Sequence, residues 1–169
     1  MTPPAPAPSL QPDTSAEITA RTGLTPELLH ALVHELYARI RRDPNLAPIF
    51  ADRITEWGPH LDRMVAFWRA VALMTGGYHG RPLESHEGLP VDRRHFARGL
   101  EIFSATARDL CTPAGADHLI ERAARIAETL HRHATETARP APPQSPPVTD
   151  SATRAARPVS PGNARLSGA

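Results

Sequence analysis

Residues 55–74, TEWGPHLDRMVAFWRAVALM, carry the apolar pattern from which the fold of this chain can be predicted. Large apolar side chains recur here at intervals of three and four residues, which places them on one face of an α-helix. The members of this stripe are Trp57, His60, Leu61, Met64, Phe67, Trp68 and Val71. The width of the stripe predicts a helix that is buried along one side, with one imidazole among its apolar groups.

The same helical spacing continues on both sides of this segment. Upstream, Thr25 is a candidate N-cap, followed by a long apolar face that includes Tyr37. Downstream, one helix is predicted after the candidate cap Asp92 and another over about residues 116–133. The short string NLAPIF, residues 45–50, is predicted to be a turn that directs a phenylalanine inward. Because no stretch alternates convincingly with period two, the sequence predicts an all-α domain with four substantial helices.

Proline distribution divides the chain into three parts. Residues 1–13 hold five of the 19 prolines and residues 137–169 hold seven more, and neither segment contains an aromatic residue. Such segments cannot bury enough apolar surface to offset the entropy of ordering. We therefore predict disordered tails at 1–13 and 137–169, and one folded domain at 14–136.

Composition excludes several classes of function. The chain contains no lysine, which rules out Schiff-base chemistry and the P-loop, and the single Cys111 rules out an intramolecular disulfide. Residues 14–136 hold 15 arginines against 16 acidic residues, so a nucleic-acid platform is not expected. No signal peptide is recognisable, and the longest apolar run is interrupted by Arg69 and is too short to span a bilayer. A soluble, cytoplasmic monomer is the expectation.

A second histidine lies in LESHEGLP, residues 83–90, a segment too short for a core helix and flanked by helix-breaking proline and glycine. Taken singly, His86 suits a solvated loop, while His60 and Tyr37 suit ordinary core positions. Taken together, an imidazole fixed opposite an aromatic helix with its own imidazole suits a flat, apolar, metal-containing ligand. Haem needs one axial nitrogen ligand, apolar walls and polar groups on the far side.

The strings LYARIRRDPNLAPIF, EWGPHLDRMVAFWRAV, YHGRPLESHEGLP and HFARGLEIF, in this order, resemble the group III truncated haemoglobins over about residues 18–134. The resemblance implies a globin-like two-over-two helical sandwich that holds a non-covalent haem b. In that reading His86 matches the proximal ligand of the haem iron. Tyr37 matches the distal tyrosine, and His60 matches the distal histidine that gates the pocket.

The resemblance extends to the walls of the haem crevice and includes one departure. Met64 takes the next inward position on the distal helix. The apolar or aromatic positions in and around the crevice are matched by Phe50, Phe67, Trp68 and Tyr78. The family usually has tryptophan in HFxRWLxLF, where this chain has Gly99. We therefore predict a larger distal cavity without an indole donor, into which His95, four residues earlier, could lean.

The function implied by this resemblance is reversible binding of oxygen, carbon monoxide or nitric oxide at a histidine-ligated haem. The second ring nitrogen of His86 is then expected to donate to a nearby carbonyl. One alternative is a haem-dependent redox enzyme, a nitric oxide dioxygenase or a peroxidase, supplied with electrons by a separate reductase. Another is a haem-free helical interaction module. The other histidines are expected to be solvated: His30, His34, His79, His118, His131 and His133.

Overall fold

A computed structural model describes residues 14–75, 80–86 and 89–137 of the chain. These residues form seven α-helices and contain no β-strand. The helices are α1 (Thr14–Thr22), α2 (Pro26–Ile40), α3 (Ala47–Arg53), α4 (Trp57–Leu73), α5 (Pro82–Ser85), α6 (Arg93–Leu110) and α7 (Pro113–Thr137). The all-α class is therefore confirmed. Residues 1–13 and 138–169 lie outside the described residues, so the disorder expected for the tails stays a prediction, as do the domain limits.

The four long helices predicted from periodicity are α2, α4, α6 and α7. The Thr25 hydroxyl caps α2 by accepting from the Leu28 backbone N–H at 3.1 Å. The Asp92 carboxylate caps α6 by accepting from the N–H of Arg94 and of His95. Helix α7 begins earlier than expected, because proline suits the first helical turn and the Thr112 hydroxyl accepts from the Gly115 N–H at 3.0 Å.

Two helices were not predicted. The string NLAPIF is not a simple turn, because residues from Ala47 onward form α3. The Asp43 carboxylate accepts from the N–H groups of Asn45 and Leu46, at 3.0 and 3.1 Å, and so orders the chain that leads into this helix. Helix α1 buries little besides Ile18, and it is held by packing on α4 and α7.

The core is formed where α2 packs on α4 and α6, and α6 packs on α7. At the α1–α7 junction, which comprises Thr22, Leu24, Thr112 and Gly115, this core is closely packed. The Thr112 hydroxyl donates to the Thr22 carbonyl at 2.6 Å, and Leu24 is completely buried. A Cβ atom on Gly115 would lie only 2.7 Å from the Thr22 carbonyl oxygen, so this approach of the two helices requires glycine.

Two arginine–aspartate pairs connect α6 to α2 and to the turn that follows it. Arg39 lies 2.8 Å from Asp109, and Arg98 lies 2.8 Å from the buried Asp43. Burial alone would raise the pKa of Asp43, but the Arg98 guanidinium and two backbone N–H donors lower it below its ordinary value. Asp43 therefore stays ionised, and it positions α3 against α6. None of the helices in the described part of the chain is long and apolar enough to cross a membrane.

Candidate functional site

A cavity of about 680 Å³ lies among α2, α3, α4, α5, α6 and α7. Its volume is in the range of small-molecule and cofactor sites. Seven of the eight residues proposed from the sequence line it: Tyr37, Phe50, His60, Met64, Phe67, Trp68 and His86. Tyr78 lies outside the described residues. The structure therefore brings together, on three separate helices and the residue that follows α5, side chains that are up to 49 positions apart in the sequence.

His86 directly follows the short helix α5, and its ring is half-buried. Its Nδ1 atom lies 2.6 Å from the Pro82 carbonyl oxygen. Because a carbonyl can only accept, Nδ1 carries the hydrogen, and the Nε2 atom of the neutral ring keeps its lone pair. The carbonyl partner expected for this histidine is present. A ring held in this way is suited to metal coordination through Nε2.

His60 presents the second imidazole of the cavity. Its Nε2 atom is buried and has no hydrogen-bond partner within the described residues. Burial lowers the pKa of His60 below its ordinary value, and electrostatic interaction with Arg63 and His86 lowers it further. His60 is therefore neutral at pH 7. A buried ring nitrogen without a partner is costly, and at a cavity wall this nitrogen is positioned to bond with a molecule in the cavity.

Tyr37 lies beside His60 and is 9% exposed. The two rings meet edge to face, with centroids 5.0 Å apart and planes at 86°. Phe50 packs on the other side of Tyr37 at 5.9 Å, also edge to face. The tyrosine and the histidine thus form one polar corner in a cavity whose other walls are largely apolar.

Trp57 and Arg41 enclose this polar corner and were not proposed as site residues. The Trp57 ring lies 5.8 Å from the His60 ring, at 87°, and 6.0 Å from the Tyr37 ring. The Arg41 guanidinium carbon lies 4.4 Å above the Trp57 ring, which is cation–π geometry. Trp57 was recognised in the sequence only as a member of the apolar stripe. The position of Arg41 depends on how the end of α2 meets the start of α4, which no local pattern indicates.

Gly99 lines the cavity on α6. A Cβ atom at this position would have one neighbour within 4 Å, Leu46 Cδ1 at 4.0 Å, so open space adjoins the glycine as expected. His95 also lines the cavity, but its Nδ1 atom accepts from the Asp92 N–H at 3.0 Å and so completes the cap of α6.

Three arginines also line the cavity. They are Arg53, Arg63 and Arg81, and sequence reasoning did not single them out.

His118, expected to be solvated, is instead buried, and its Nε2 atom donates to the Ala72 carbonyl at 2.9 Å. This expectation was wrong because the carbonyl partner belongs to another helix. His131 is also partly buried, with its ring 5.5 Å from that of Phe96.

Comparison with known proteins gives the class of the fold and then the family. No family model matches the chain. The crystal structure of the group III truncated haemoglobin from Campylobacter jejuni superposes with a TM-score of 0.61 and 27% identity, over 64% of this chain and 90% of that one. The chain therefore has the truncated haemoglobin fold, as predicted.

Sequence comparison agrees with the structural match. The Group 3 truncated hemoglobin ctb of Campylobacter jejuni is 29% identical over 106 residues, which are 60% of this chain and 84% of that protein. By sequence and fold together, the chain is a distant homologue of the group III truncated haemoglobins. This confirms the family resemblance seen in its motifs.

Proposed function

We propose that the chain is a haem-binding globin that reversibly holds a diatomic gas, oxygen, carbon monoxide or nitric oxide. In this proposal a non-covalent haem b occupies the cavity, and His86 ligates its iron through Nε2. Tyr37 and His60 then face the gas. One observation carries the proposal: a histidine with an oriented, available Nε2 atom shares a cavity with a second histidine whose buried Nε2 atom has no partner in the described residues.

The residues of the cavity fit haem in shape and charge. Met64, Phe67 and Trp68 supply apolar walls for a flat macrocycle. Three arginines lie among the lining residues, Arg53, Arg63 and Arg81, and all three are exposed. Guanidinium groups at the mouth of an apolar cavity suit the two carboxylates of haem b, because arginine pairs with carboxylates in bidentate geometry.

His86 is held for the role of an axial ligand. The hydrogen bond from its Nδ1–H group to the Pro82 carbonyl fixes the ring orientation, so Nε2 is the ring nitrogen that can coordinate a metal. With His86 as its ligand, a haem bound here would supply an iron able to bind a diatomic gas reversibly.

His60 and Tyr37 supply the polar groups for that gas. The lowered pKa of His60 keeps its ring neutral, so either ring nitrogen can carry the single hydrogen. The Tyr37 hydroxyl carries an O–H group that can donate a hydrogen bond. A hydrogen bond from either group to a polar gas is stronger in a cavity that excludes water than in solution.

The test is a titration of the purified full chain with haem, followed by absorption, and then reduction under carbon monoxide. We expect wild type and the exposed-site control His30→Ala to saturate at one haem per chain, with the carbonyl spectrum of a histidine-ligated haem. His86→Gly should lose that spectrum, and free imidazole should restore it by filling the vacated position.

Two results would contradict the proposal. An unchanged spectrum in His86→Gly would mean that another residue ligates the iron. Absence of saturable haem binding in wild type would favour the haem-free interaction module, in which the aromatic stripe of α4 is ordinary core.

A further inference from the structure

We infer that Arg41 and Trp57 form a latch that holds His60 over the cavity, and that opening of this latch admits the gas. The inference rests on the proposed function, because it concerns passage of the gas into the same cavity. It assigns a positioning role to two residues that lie outside the set matched to the family motifs. Three features of the polar corner carry it.

The first feature is a cluster of three rings, in which His60, Tyr37 and Trp57 each contact the other two. Tyr37 lies against one side of the imidazole at 5.0 Å, and Trp57 lies against it at 5.8 Å, both edge to face. Tyr37 is buried and belongs to the core cluster, whereas Trp57 is only partly buried at the start of α4. Of the two rings that contact His60, Trp57 is therefore the one that can move with less loss of core packing.

The second feature is the weakness of the first turn of α4, the segment EWGPH. Its N-cap Glu56 makes no side-chain hydrogen bond, so no side chain of the cap residue satisfies the first N–H groups of the helix. The backbone bond from the His60 N–H to the Glu56 carbonyl is long, at 3.4 Å. No heavy atom would contact a Cβ on Gly58 within 4 Å, so nothing packs against that residue. The turn is consequently held in place chiefly by its tryptophan.

The third feature is the cation that covers this tryptophan. Arg41 is the C-cap of α2, and its backbone N–H donates to the Tyr37 carbonyl at 3.0 Å. The arginine is thus anchored one turn from Tyr37, and its guanidinium lies 4.4 Å over the Trp57 ring. A cation at the C-terminal end of a helix is also favoured by the helix dipole. Through this cation–π contact, Arg41 connects the C-terminal end of α2 to the first turn of α4.

A latch has a kinetic signature that a change in ligand stabilisation lacks. If opening limits passage, entry and escape accelerate by the same factor, and the dissociation constant of the gas stays the same. A cation–π contact at an exposed site corresponds to a factor of roughly two to five in the ratio of open to closed forms. The loss of the contact should therefore accelerate both rates by about two- to five-fold.

The experiment measures carbon monoxide association and dissociation in the full chain loaded with haem. Arg41→Gln removes the cation, Arg41→Lys keeps it, and Arg42→Gln is the matched control at an exposed neighbouring arginine. We expect both rates to rise in Arg41→Gln, to stay near wild type in Arg41→Lys, and to be unaffected in Arg42→Gln. Equal rates in Arg41→Gln and Arg42→Gln, or a change in only one of the two rates and hence in the dissociation constant, would overturn the latch.

A second measurement separates the latch from the proposed function. Amide hydrogen exchange is followed for residues 57–61 in the full chain without added haem, and residues 92–96 at the well-capped start of α6 serve as internal reference. Arg41→Gln should accelerate exchange in the first segment only. If wild type failed to bind haem, the proposed function would fall while this measurement still tested the latch. Unchanged exchange in Arg41→Gln would overturn the latch whether or not haem binds.

Discussion

Gly115 and Gly99 lie on the neighbouring helices α7 and α6, yet their surroundings are opposite. A Cβ atom on Gly115 would lie 2.7 Å from a backbone oxygen, whereas one on Gly99 would have its nearest neighbour at 4.0 Å. The first glycine lets two helices touch, and the second leaves space in a cavity. The contrast indicates that this small domain packs its α1–α7 junction closely and leaves open space beside the cavity.

Helix α2 runs from one region to the other. Its residues Leu29, Leu32 and Val33 are completely buried among neighbouring side chains. One turn later, Leu36 and Tyr37, exposed to 5% and 9%, line the cavity. The stability of the chain without its ligand should therefore depend mainly on the first group of residues, and the capacity to bind on the second.

The largest effect is expected from truncation of a core side chain near the α1–α7 junction. Leu119 is completely buried, so Leu119→Ala should lower the free energy of unfolding by about 2–5 kcal/mol. Met64→Ala removes a side chain of similar size that is only partly buried and already faces a cavity, so it should cost less than half as much. Urea unfolding of the haem-free chain measures both values. Equal losses for the two variants would remove the distinction between the regions.

The two glycines give an intermediate effect with opposite signs. Gly115→Ala forces a methyl group against the Thr22 carbonyl and should destabilise the haem-free chain by about 1–3 kcal/mol. Gly99→Ala meets no close neighbour and should stabilise it by about 0.5–1 kcal/mol, because alanine is the better helix former. The midpoints of thermal unfolding of both variants, compared with that of wild type, measure these two changes in stability. A shift of the same sign in both would contradict the comparison.

The smallest effect concerns pH. Burial lowers the pKa of His118 below its ordinary value of 6.5, the bond to the Ala72 carbonyl opposes this shift, and the charges of Arg122 and Arg21 add to it. As the pH falls below 6.5, the unfolded chain takes up this proton before the folded chain does. The contribution of His118 is thus fully present above that pH and is lost as the pH falls toward the folded pKa.

His118→Gln keeps an N–H donor for the Ala72 carbonyl but cannot titrate. Its stability, from urea midpoints at about pH 7.5 and about pH 5.5, should decline less than that of wild type. The pKa of His60 shifts in the same direction, so His60→Gln in the haem-free chain should remove a further part of the decline. An identical decline in wild type and His118→Gln would show that this histidine does not titrate differently on folding.

Much of the fold and the centre of the site were predictable from local pattern. The long helices follow from apolar spacing, and two of their caps, Thr25 and Asp92, follow from residue type. His86, His60 and Tyr37 stood out because an imidazole between helix breakers, together with an aromatic stripe, is chemically specific. Placing them in one cavity relied on the family resemblance, since no spacing rule connects residues on different helices.

The features that could not be predicted all depend on contacts between helices. Helix α1 has too few apolar residues to show a recognisable helical pattern in the sequence, and it is held by packing against α4 and α7. The burial of His118 depends on a carbonyl 46 positions away, and the Arg41–Trp57 contact depends on the meeting of two helix ends. Such long-range partners determine burial and charge at single residues, and local periodicity carries no information about them.

The two arginine–aspartate pairs on α6 have a consequence for alkaline solutions. A lysine in place of Arg39 or Arg98 would lose its charge near pH 10, whereas a guanidinium keeps its charge beyond pH 12. The ion pairs Arg98–Asp43 and Arg39–Asp109 therefore remain charged in strong base. With no lysine anywhere in the chain, amine-directed crosslinkers and labels have only the α-amino group to modify, so the helices can be immobilised or tagged without disturbing their ion pairs.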